Sequence, residues 1–297
     1  MFKILKKIYW IIFSTHQWYI LYKKKGTNDW VRLNQSSNVS RADSFVVYEN
    51  SKYYIFFEEF DIEKRHGYLC VGELNQGNNC LDNVKVVLNE EYHLSFPYVF
   101  KYKEKYYMIP ESHANDSVDL YEFLEFPYRL RKVRTILKGN YADSVLLNYC
   151  DKWYLFTNKS VSRDDLHSKN LSIFTSDDLF DEFKQTHHNP VVIDSEFARN
   201  GGSFMQKNSK LYRISQDCKI RYGYKINIME VKKLNEKEYK EECIEMVYPP
   251  KGYIAFHTLN NAKDIEVADS KVIVINIKTL FTGIKNLFKI IQRKINA

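Results

Sequence analysis

A 15-residue segment of this sequence occurs twice, 100 residues apart, and the repeat limits the folds that the chain can adopt. Residues 42–56 are ADSFVVYENSKYYIF, and residues 142–156 are ADSVLLNYCDKWYLF. Each copy has two apolar or aromatic runs around a short polar turn, which is typical of a β-hairpin. Each also has an aspartate, Asp43 or Asp143, just before its first strand. The sequence therefore predicts the same hairpin twice.

Three further segments extend the repeat to five copies. Residues 96–109, 203–214 and 264–275 fit the same frame, and the last is the weakest match. The aligned lysines, spaced 53, 47, 58 and 61 residues apart, are Lys52, Lys105, Lys152, Lys210 and Lys271. A period of this size, with several short strands per unit, is what a β-propeller blade requires. We therefore predict an all-β, five-bladed β-propeller; the alternative is a β-sandwich with chance hairpin similarity.

Composition and spacing favour one β domain. Aromatic residues make up 15% of the chain and suit half-buried strands. The length of 297 residues allows two domains, but no Pro/Gly/Ser-rich linker interrupts the repeats. We predict a propeller over residues 26–275, a basic segment over residues 1–25 and a basic amphipathic helix over residues 276–297.

Positive charge is concentrated at the two ends. Residues 1–25 contain six lysines and no acid, and residues 270–297 contain six basic residues and no acid. The ends together carry +12, so residues 26–269 carry −5. Lysines between helically spaced apolar residues predict short basic terminal helices, which either lie on an anionic membrane surface or pack on the propeller. The acidic body argues against a nucleic-acid partner.

Other sequence signals bear on location and cofactors. No apolar run approaches the ~20 residues that span a bilayer, and no cleavage site follows residues 8–13. The five cysteines form no CxxC pair, which predicts reduced thiols rather than a zinc site. We expect a cytoplasmic protein, peripheral on the inner membrane face if the ends bind lipid, with no metal and no cofactor.

Ionisable and aromatic residues stand at equivalent positions of successive repeats. In a propeller these positions converge on the central channel. Asp43, Asp143 and Glu111 are the predicted catalytic residues. The predicted substrate-binding residues are Glu58, Glu59, Arg199, Gln216, Asp217, Tyr222 and His257.

Such a set suits glycosyl chemistry. Making or breaking a glycosidic bond needs a carboxylate base and an acid or cation on the leaving-group side. Aromatic rings offer a flat face to sugars, and arginine binds phosphate or carboxylate in bidentate fashion. The alternative for Asp43 and Asp143 is a structural one, because aspartate before a strand often accepts hydrogen bonds from local backbone N–H groups.

Several ordered motifs over residues 17–275 resemble the N-terminal domain of glucosamine inositolphosphorylceramide transferases and its bacterial relatives. The most specific of them are PES at residues 110–112 and LYRISQDC at residues 211–218, followed by YG. The repeats more distantly resemble the five-bladed propellers of family 43 glycoside hydrolases. These resemblances imply a sugar-handling propeller with Asp43 in the position of the base. The hydrolases take their second aspartate and their acid from other blades than those of Asp143 and Glu111.

Three functions are consistent with these features. The first, which we favour, is a glycosyltransferase of cell-surface polysaccharide or glycolipid assembly. It would use a nucleotide-sugar or other activated donor and a glycan or lipid-linked acceptor. The second is a glycoside hydrolase of the five-bladed propeller type. The third is a non-catalytic carbohydrate-binding propeller, which would need no acidic pair.

Overall fold

The computed structural model describes residues 14–160 and 167–275, and nearly all of its regular structure is β-strand. The strands form five four-stranded antiparallel sheets, each a blade of a five-bladed β-propeller. This confirms the predicted fold class. The predicted terminal helices, at residues 1–13 and 276–297, lie outside the described residues.

The blades follow one another along the chain. The first two strands are β1 (Ser14–Lys24) and β2 (Val31–Arg32). Blade 1 contains β3 (Val39–Glu49), β4 (Lys52–Asp61), β5 (His66–Asn75) and β6 (Cys80–Leu88). Blade 2 contains β7 (Ser95–Tyr102), β8 (Lys105–Glu111), β9 (Ser117–Glu125) and β10 (Arg129–Lys138). Blade 3 contains β11 (Tyr141–Tyr149), β12 (Lys152–Lys159), β13 (Asn170–Ser176) and β14 (Val192–Ile193). Blade 4 contains β15 (Met205–Lys207), β16 (Lys210–Gln216), β17 (Ile226–Leu234) and β18 (Tyr239–Val247).

Blade 5 joins the two ends of the described chain. It contains β19 (Ala255–Ala262) and β20 (Ile265–Ile275), together with β1 and β2, in the order β19-β20-β1-β2. Strand β1 pairs with β20 from Ser14 opposite Ile275 to Lys24 opposite Ile265. Strand β1, the first strand that the structure describes, therefore closes the ring of blades by pairing with β20. The predicted domain boundary at residue 26 falls after β1, so the described propeller begins earlier, at Ser14.

The repeated hairpin owes its shape to a two-residue turn. Asn50 and Ser51 have φ angles of 50° and 62°, and they connect the register pair Glu49 and Lys52. Positive φ at both central residues is the type I′ geometry, whose twist matches that of the flanking strands. The equivalent turns of blades 2 to 4 are Lys103-Glu104, Cys150-Asp151 and Asn208-Ser209.

The alignment of the fifth copy is wrong. The turn of blade 5 is Lys263-Asp264, between the paired residues Ala262 and Ile265. Lys271 is instead an interior residue of β20, opposite Trp18. The sequence Asp269-Ser270-Lys271 resembles the turn sequence of the other repeats, but it lies within strand β20.

Aromatic side chains fill the space between blades. Phe45 of blade 1 packs edge-on against Phe96 of blade 2, with ring centroids 4.8 Å apart. Phe56 meets Phe123 in the same way at 5.5 Å. All of these rings are buried, which accounts for the aromatic-rich composition.

A bulge in the innermost strand places polar residues at the centre of the ring. The register shifts between Ala42 and Phe45 in blade 1 and between Ala142 and Val145 in blade 3. Blades 2 and 5 have the same irregularity, between Ser95 and Tyr98 and between Phe256 and Leu259. A bulge redirects a side chain out of the strand pattern. The residues in these bulges include Asp43, Phe96, Asp143 and His257.

Candidate active site

Asp43 lies at the centre of a buried ionic cluster. Its side-chain oxygen Oδ1 is 3.1 Å from Nε2 of His257, and its Oδ2 accepts the backbone N–H of Phe96 at 3.2 Å. Asp43 is 5% exposed and has a φ of 53°. The bulge of blade 1 thus presents Asp43 to groups from blades 2 and 5.

Asp269 is a site residue that the sequence analysis missed. It is fully buried in β20, and its Oδ2 accepts the backbone N–H of Asp43 at 2.7 Å. Its Oδ1 accepts the N–H groups of His257 at 3.2 Å and Thr258 at 3.0 Å. The same oxygen lies 2.6 Å from Nδ1 of His257. Asp269 therefore fixes both the backbone of Asp43 and the ring of His257.

His257 is an imidazolium between two carboxylates. Burial lowers its pKa, but the charges of Asp269 and Asp43 outweigh burial and raise the pKa to about 10. The ring stacks on Trp18 of β1 at a centroid distance of 4.1 Å. With this pKa, His257 carries its proton at neutral pH and forms an ion pair with Asp43.

Asp143 pairs with Arg199 on another side of the ring. Nε of Arg199 donates to Oδ2 of Asp143 at 2.6 Å, and Nε2 of Gln216 approaches the same oxygen at 3.4 Å. Burial raises the pKa of Asp143 to about 6 against the opposing charge of Arg199, and the charges of Glu111 and Asp43 add to the rise. The Arg199 guanidinium lies 5.0 Å above the ring of Tyr222. These predicted residues are therefore in one cluster.

Glu111, at the end of β8, is buried with its own partners. Its Oε2 accepts the hydroxyl of Ser95 at 2.8 Å, and its Oε1 contacts Nδ1 of His113. Burial raises the pKa of Glu111, but the hydrogen bond and charge of His113 prevail and lower it to about 2. The ring of His113 lies 4.9 Å from that of His167. Glu111 is thus a stable anion near Asp143.

Glu58 has the opposite electrostatic character. Burial raises its pKa well above the usual value, and the charge of Asp43 raises it further. Its Oε1 is 3.4 Å from Nε2 of His93, and a Cβ at Gly67 would come within 2.7 Å of the same oxygen. The absence of a side chain at Gly67 leaves room for this pair. Burial and the charge of Asp43 therefore favour the protonated form of Glu58.

Two of the predicted substrate-binding residues lie elsewhere. Glu59 follows Glu58 on β4 and faces the opposite side, where it accepts hydrogen bonds from Arg41 at 2.8 Å and Tyr68 at 2.9 Å. Asp217 is buried against Lys225, 3.1 Å away, and accepts the backbone N–H of Lys219. Glu59 and Asp217 therefore form their ion pairs outside the cluster around Asp43 and Asp143.

The residues gathered around the channel form what we call the central pocket: Asp43, Glu58, Glu111, Asp143, Arg199, Gln216, Tyr222, His257 and Asp269. Besides Asp269, the sequence analysis missed three neighbours, Trp18, His93 and His113. Trp18 precedes the first repeat, and the two histidines lie between repeat motifs. Their sequence signal is a histidine or tryptophan near the end of a predicted strand, because such positions lie near the channel of a propeller.

Asp43, His257 and Asp269 could also be considered as metal ligands. One ligand atom from each lies within 4.8 Å of the others. Both oxygens of Asp269 already accept backbone N–H groups, however, and His257 holds a proton between the two carboxylates. A metal needs the neutral imidazole. The arrangement therefore suits an imidazolium better than a metal ion.

The fold and the pocket define a five-bladed propeller with a buried acid–imidazolium centre. The chain belongs to the family described as glucosamine inositolphosphorylceramide transferase 1, N-terminal, whose model matches residues 26–269. It is 30% identical over 208 residues to glucosamine inositolphosphorylceramide transferase 1 of Oryza sativa subsp. japonica, covering 69% of this chain and 28% of the rice protein. The protein of that name from Arabidopsis thaliana is 28% identical over 202 residues, covering 67% of this chain and 26% of its own length. The matches span less than a third of these curated relatives.

Solved structures with the same fold are more distant in sequence. Zg3597, a family 117 glycoside hydrolase of Zobellia galactanivorans, is 12% identical with a TM-score of 0.56, covering 90% of this chain and 92% of that one. A Cellvibrio cellulosa α-L-arabinanase is 11% identical with a TM-score of 0.55, covering 77% and 94%. These likenesses establish the propeller fold.

Proposed function

We propose that the protein is a glycosyltransferase of cell-surface polysaccharide or glycolipid biosynthesis. It moves a sugar from an activated donor, such as a nucleotide sugar, to a glycan or lipid-linked acceptor. The observation that carries this proposal is the meeting of Asp43, Glu111 and Asp143, from three blades, in one buried cluster of ionisable groups. Core packing does not require three buried carboxylates, because each burial has a desolvation cost.

The carboxylates differ in the way that acid–base chemistry requires. Asp43 is the base that accepts the proton of the acceptor hydroxyl, because His257 and the N–H of Phe96 hold its carboxyl group in place. Burial and the charge of Asp43 favour the protonated form of Glu58, which suits it to protonate a leaving group. Groups whose environments separate their pKa values suit opposite roles in proton transfer. Glu111 and Asp143 complete the catalytic group, and Arg199, Gln216, Tyr222 and His257 surround the sugar.

The relatives and the ends of the chain support the transferase assignment. The curated relatives carry transferase names, although the matched part is less than a third of each. The basic ends suit peripheral attachment to the anionic inner face of a membrane, as in a cytoplasmic enzyme with a lipid-linked acceptor. Within residues 14–160 and 167–275, no helix has the length and apolar character of a membrane span.

The runner-up is a glycoside hydrolase. Of the two propellers with the same fold named above, Zg3597 is a family 117 glycoside hydrolase and the Cellvibrio protein is an α-L-arabinanase, and the carboxylate set could equally activate water. The two activities differ in the fate of the sugar, which is transferred in one case and released in the other.

The test combines single-turnover transfer with a binding measurement. Purified protein is incubated with a panel of nucleotide sugars and membrane extract, and the products are identified by mass spectrometry. A glycosylated lipid or glycan that is lost in Asp43→Asn supports the transferase. Free sugar from glycans, without transfer, would favour the hydrolase. Sugar binding with no turnover on any substrate would favour the non-catalytic binding module.

A further inference from the structure

Two basic side chains at the edge of the central pocket, Arg221 and Lys271, form no ion pair with the acids that the structure describes. Nε of Arg221 donates to the backbone oxygen of Ile254 at 2.8 Å, and its guanidinium lies 4.7 Å above the ring of Tyr224. Nζ of Lys271 lies 4.9 Å above the ring of Trp18. Within the described part of the chain, neither cation forms an ion pair. Most lysines of the propeller surface, in contrast, lie beside a glutamate or an aspartate.

The strand register brings these cations together. Lys271 is opposite Trp18 in the β1–β20 pair, and His16 is opposite Ile273 on the same face. Ile254 then links Arg221 to this face, because its N–H donates to the oxygen of Lys271 at 2.8 Å while its own oxygen accepts from Arg221. We refer to Lys271, Arg221, His16 and Trp18 as the basic edge.

The basic edge brings like charges close enough to act on one another. Burial lowers the pKa of Lys271, and the charge of Arg221 lowers it further. Burial and then the charge of Lys271 lower the pKa of His16. Asp269 is the acid that acts on Lys271, and its oxygens are already bound by backbone N–H groups and His257. Holding like charges together is unfavourable, and a bound anion would relieve it.

The basic edge is continuous with the central pocket. Trp18 lies between Lys271 and His257, stacking on the imidazolium at 4.1 Å and meeting the ring of Tyr222 edge-on at 6.4 Å. Gly223 allows the backbone to approach His257 closely, because a Cβ there would come within 2.6 Å of the Cβ of His257. A group bound at the basic edge would therefore be a neighbour of a sugar in the pocket.

We propose that the basic edge binds the phosphate of a sugar-phosphate substrate. Arg221 can donate two parallel hydrogen bonds to phosphate oxygens, and Lys271 supplies a point charge. The phosphate belongs either to the diphosphate of an activated donor or to a phosphate-bearing lipid acceptor. This inference rests on the proposed function, since it assigns the charged part of the substrate of the same pocket.

The test measures phosphate binding separately from turnover. Uridine diphosphate and inorganic pyrophosphate represent the donor, and vesicles of phosphatidylcholine with phosphatidylinositol represent the acceptor. Binding of the soluble anions is followed by calorimetry, and vesicle binding by flotation. Lys271→Gln and Arg221→Gln should each weaken binding about tenfold, as expected for the loss of one charge-assisted hydrogen bond. Lys240→Gln, which removes a lysine paired with Glu238, is the matched control and should bind as the wild type does.

The pattern of losses identifies the phosphate source. A loss confined to uridine diphosphate and pyrophosphate assigns the basic edge to the donor, and a loss confined to vesicles assigns it to the acceptor. Lys271→Arg should retain most of the binding, which separates charge from folding. Phosphate binding that both Gln variants leave unchanged would overturn the inference, even if sugar transfer occurs. Phosphate binding that the variants abolish, in a protein that transfers no sugar, would support the basic edge and overturn the proposed function.

Discussion

The two copies of the ADS motif have the same backbone but different partners. Asp43 and Asp143 both lie in a bulge of an innermost strand, with φ angles of 53° and 49° and exposures of 5% and 3%. Asp43 faces the titratable imidazolium of His257, whereas Asp143 faces the permanent cation of Arg199. Each cation comes from a neighbouring blade.

The two aspartates therefore differ in the kind of cation that faces them. A histidine that lies between two carboxylates can exchange a proton, so the Asp43 side of the central pocket responds to pH. Arginine does not lose its proton in proteins, so the cation on the Asp143 side is permanent, and the group that titrates there is Asp143 itself, with a pKa raised to about 6. The repeat thus supplies two equivalent positions, and the neighbouring blade decides what each one does.

The largest expected effect is on the rate with Asp43→Asn. This change keeps the shape of the side chain but removes the proton acceptor, and loss of a general base costs about 10²–10⁴-fold in rate. Sugar binding should survive largely intact. Single-turnover transfer and sugar affinity are measured side by side. Asp119→Asn, a fully buried carboxylate of blade 2 bound by Ser117, Thr135 and Lys132, is the control. A wild-type rate in Asp43→Asn would remove Asp43 from the mechanism.

The second effect is on stability and concerns the Asp143 side. Arg199→Met leaves the buried Asp143 without its cation, and breaking a buried pair in this way costs roughly 3–5 kcal/mol. Urea unfolding at pH 7 measures the free energy of unfolding. The double variant Arg199→Met with Asp143→Asn should recover part of the loss, because no buried charge remains.

The exposed Arg129 provides a comparison for that stability measurement. Arg129→Met should change the free energy of unfolding by less than about 0.5 kcal/mol, as is usual for surface substitutions. Equal losses in Arg129→Met and Arg199→Met, or a double variant less stable than Arg199→Met, would contradict the anchoring role of the Asp143 pair.

The third effect is a shift in pH dependence with Asp269→Asn. The folded pKa of His257, about 10, lies above its ordinary value of 6.5, so its contribution to stability is complete below 6.5 and is lost as pH rises through 10. Removing Asp269 leaves burial opposed by Asp43 alone, so the pKa falls. The alkaline limb of the rate profile should move to lower pH, and an imidazole resonance should titrate there.

Asp119→Asn again serves as the control, since it removes an equally buried carboxylate that is remote from His257. It should leave both the alkaline limb and the imidazole titration in place. The groups that face His257 are Asp43, Glu58, Tyr222 and Asp269, with Trp18 stacked on the ring. An unshifted limb in Asp269→Asn would mean that Asp269 acts on the fold and not on the imidazolium.

Local patterns of the sequence were enough for the fold, and long-range pairing explains what they missed. The two-residue turns and alternating strands are local, so the five-bladed propeller was predictable. Asp43 and Asp143 were found because the motif repeats. Asp269 accepts a hydrogen bond from the backbone of Asp43, which is 226 residues away in the sequence. Because Asp269, Ser270 and Lys271 resemble the turn sequence of the other repeats, the local pattern predicts a turn at this position. Adjacent residues of a strand face opposite sides of the sheet. Glu58 therefore faces the channel and Glu59 faces away from it, although the sequence analysis predicts both at the site.

The smallest expected effect lies at the ends of the chain, where the membrane prediction rests on sequence alone. A protein lacking residues 1–13 and 276–294 should float less with anionic liposomes than the full chain. The difference should shrink as salt rises, because the screening length is about 8 Å at physiological ionic strength. Neutral liposomes are the control and should recover little of either protein. The shortened protein should keep the acid–imidazolium centre, because β1 begins at Ser14 and β20 ends at Ile275. Flotation that the deletion leaves unchanged would refute a membrane role for the basic ends and leave both sides of the central pocket as proposed.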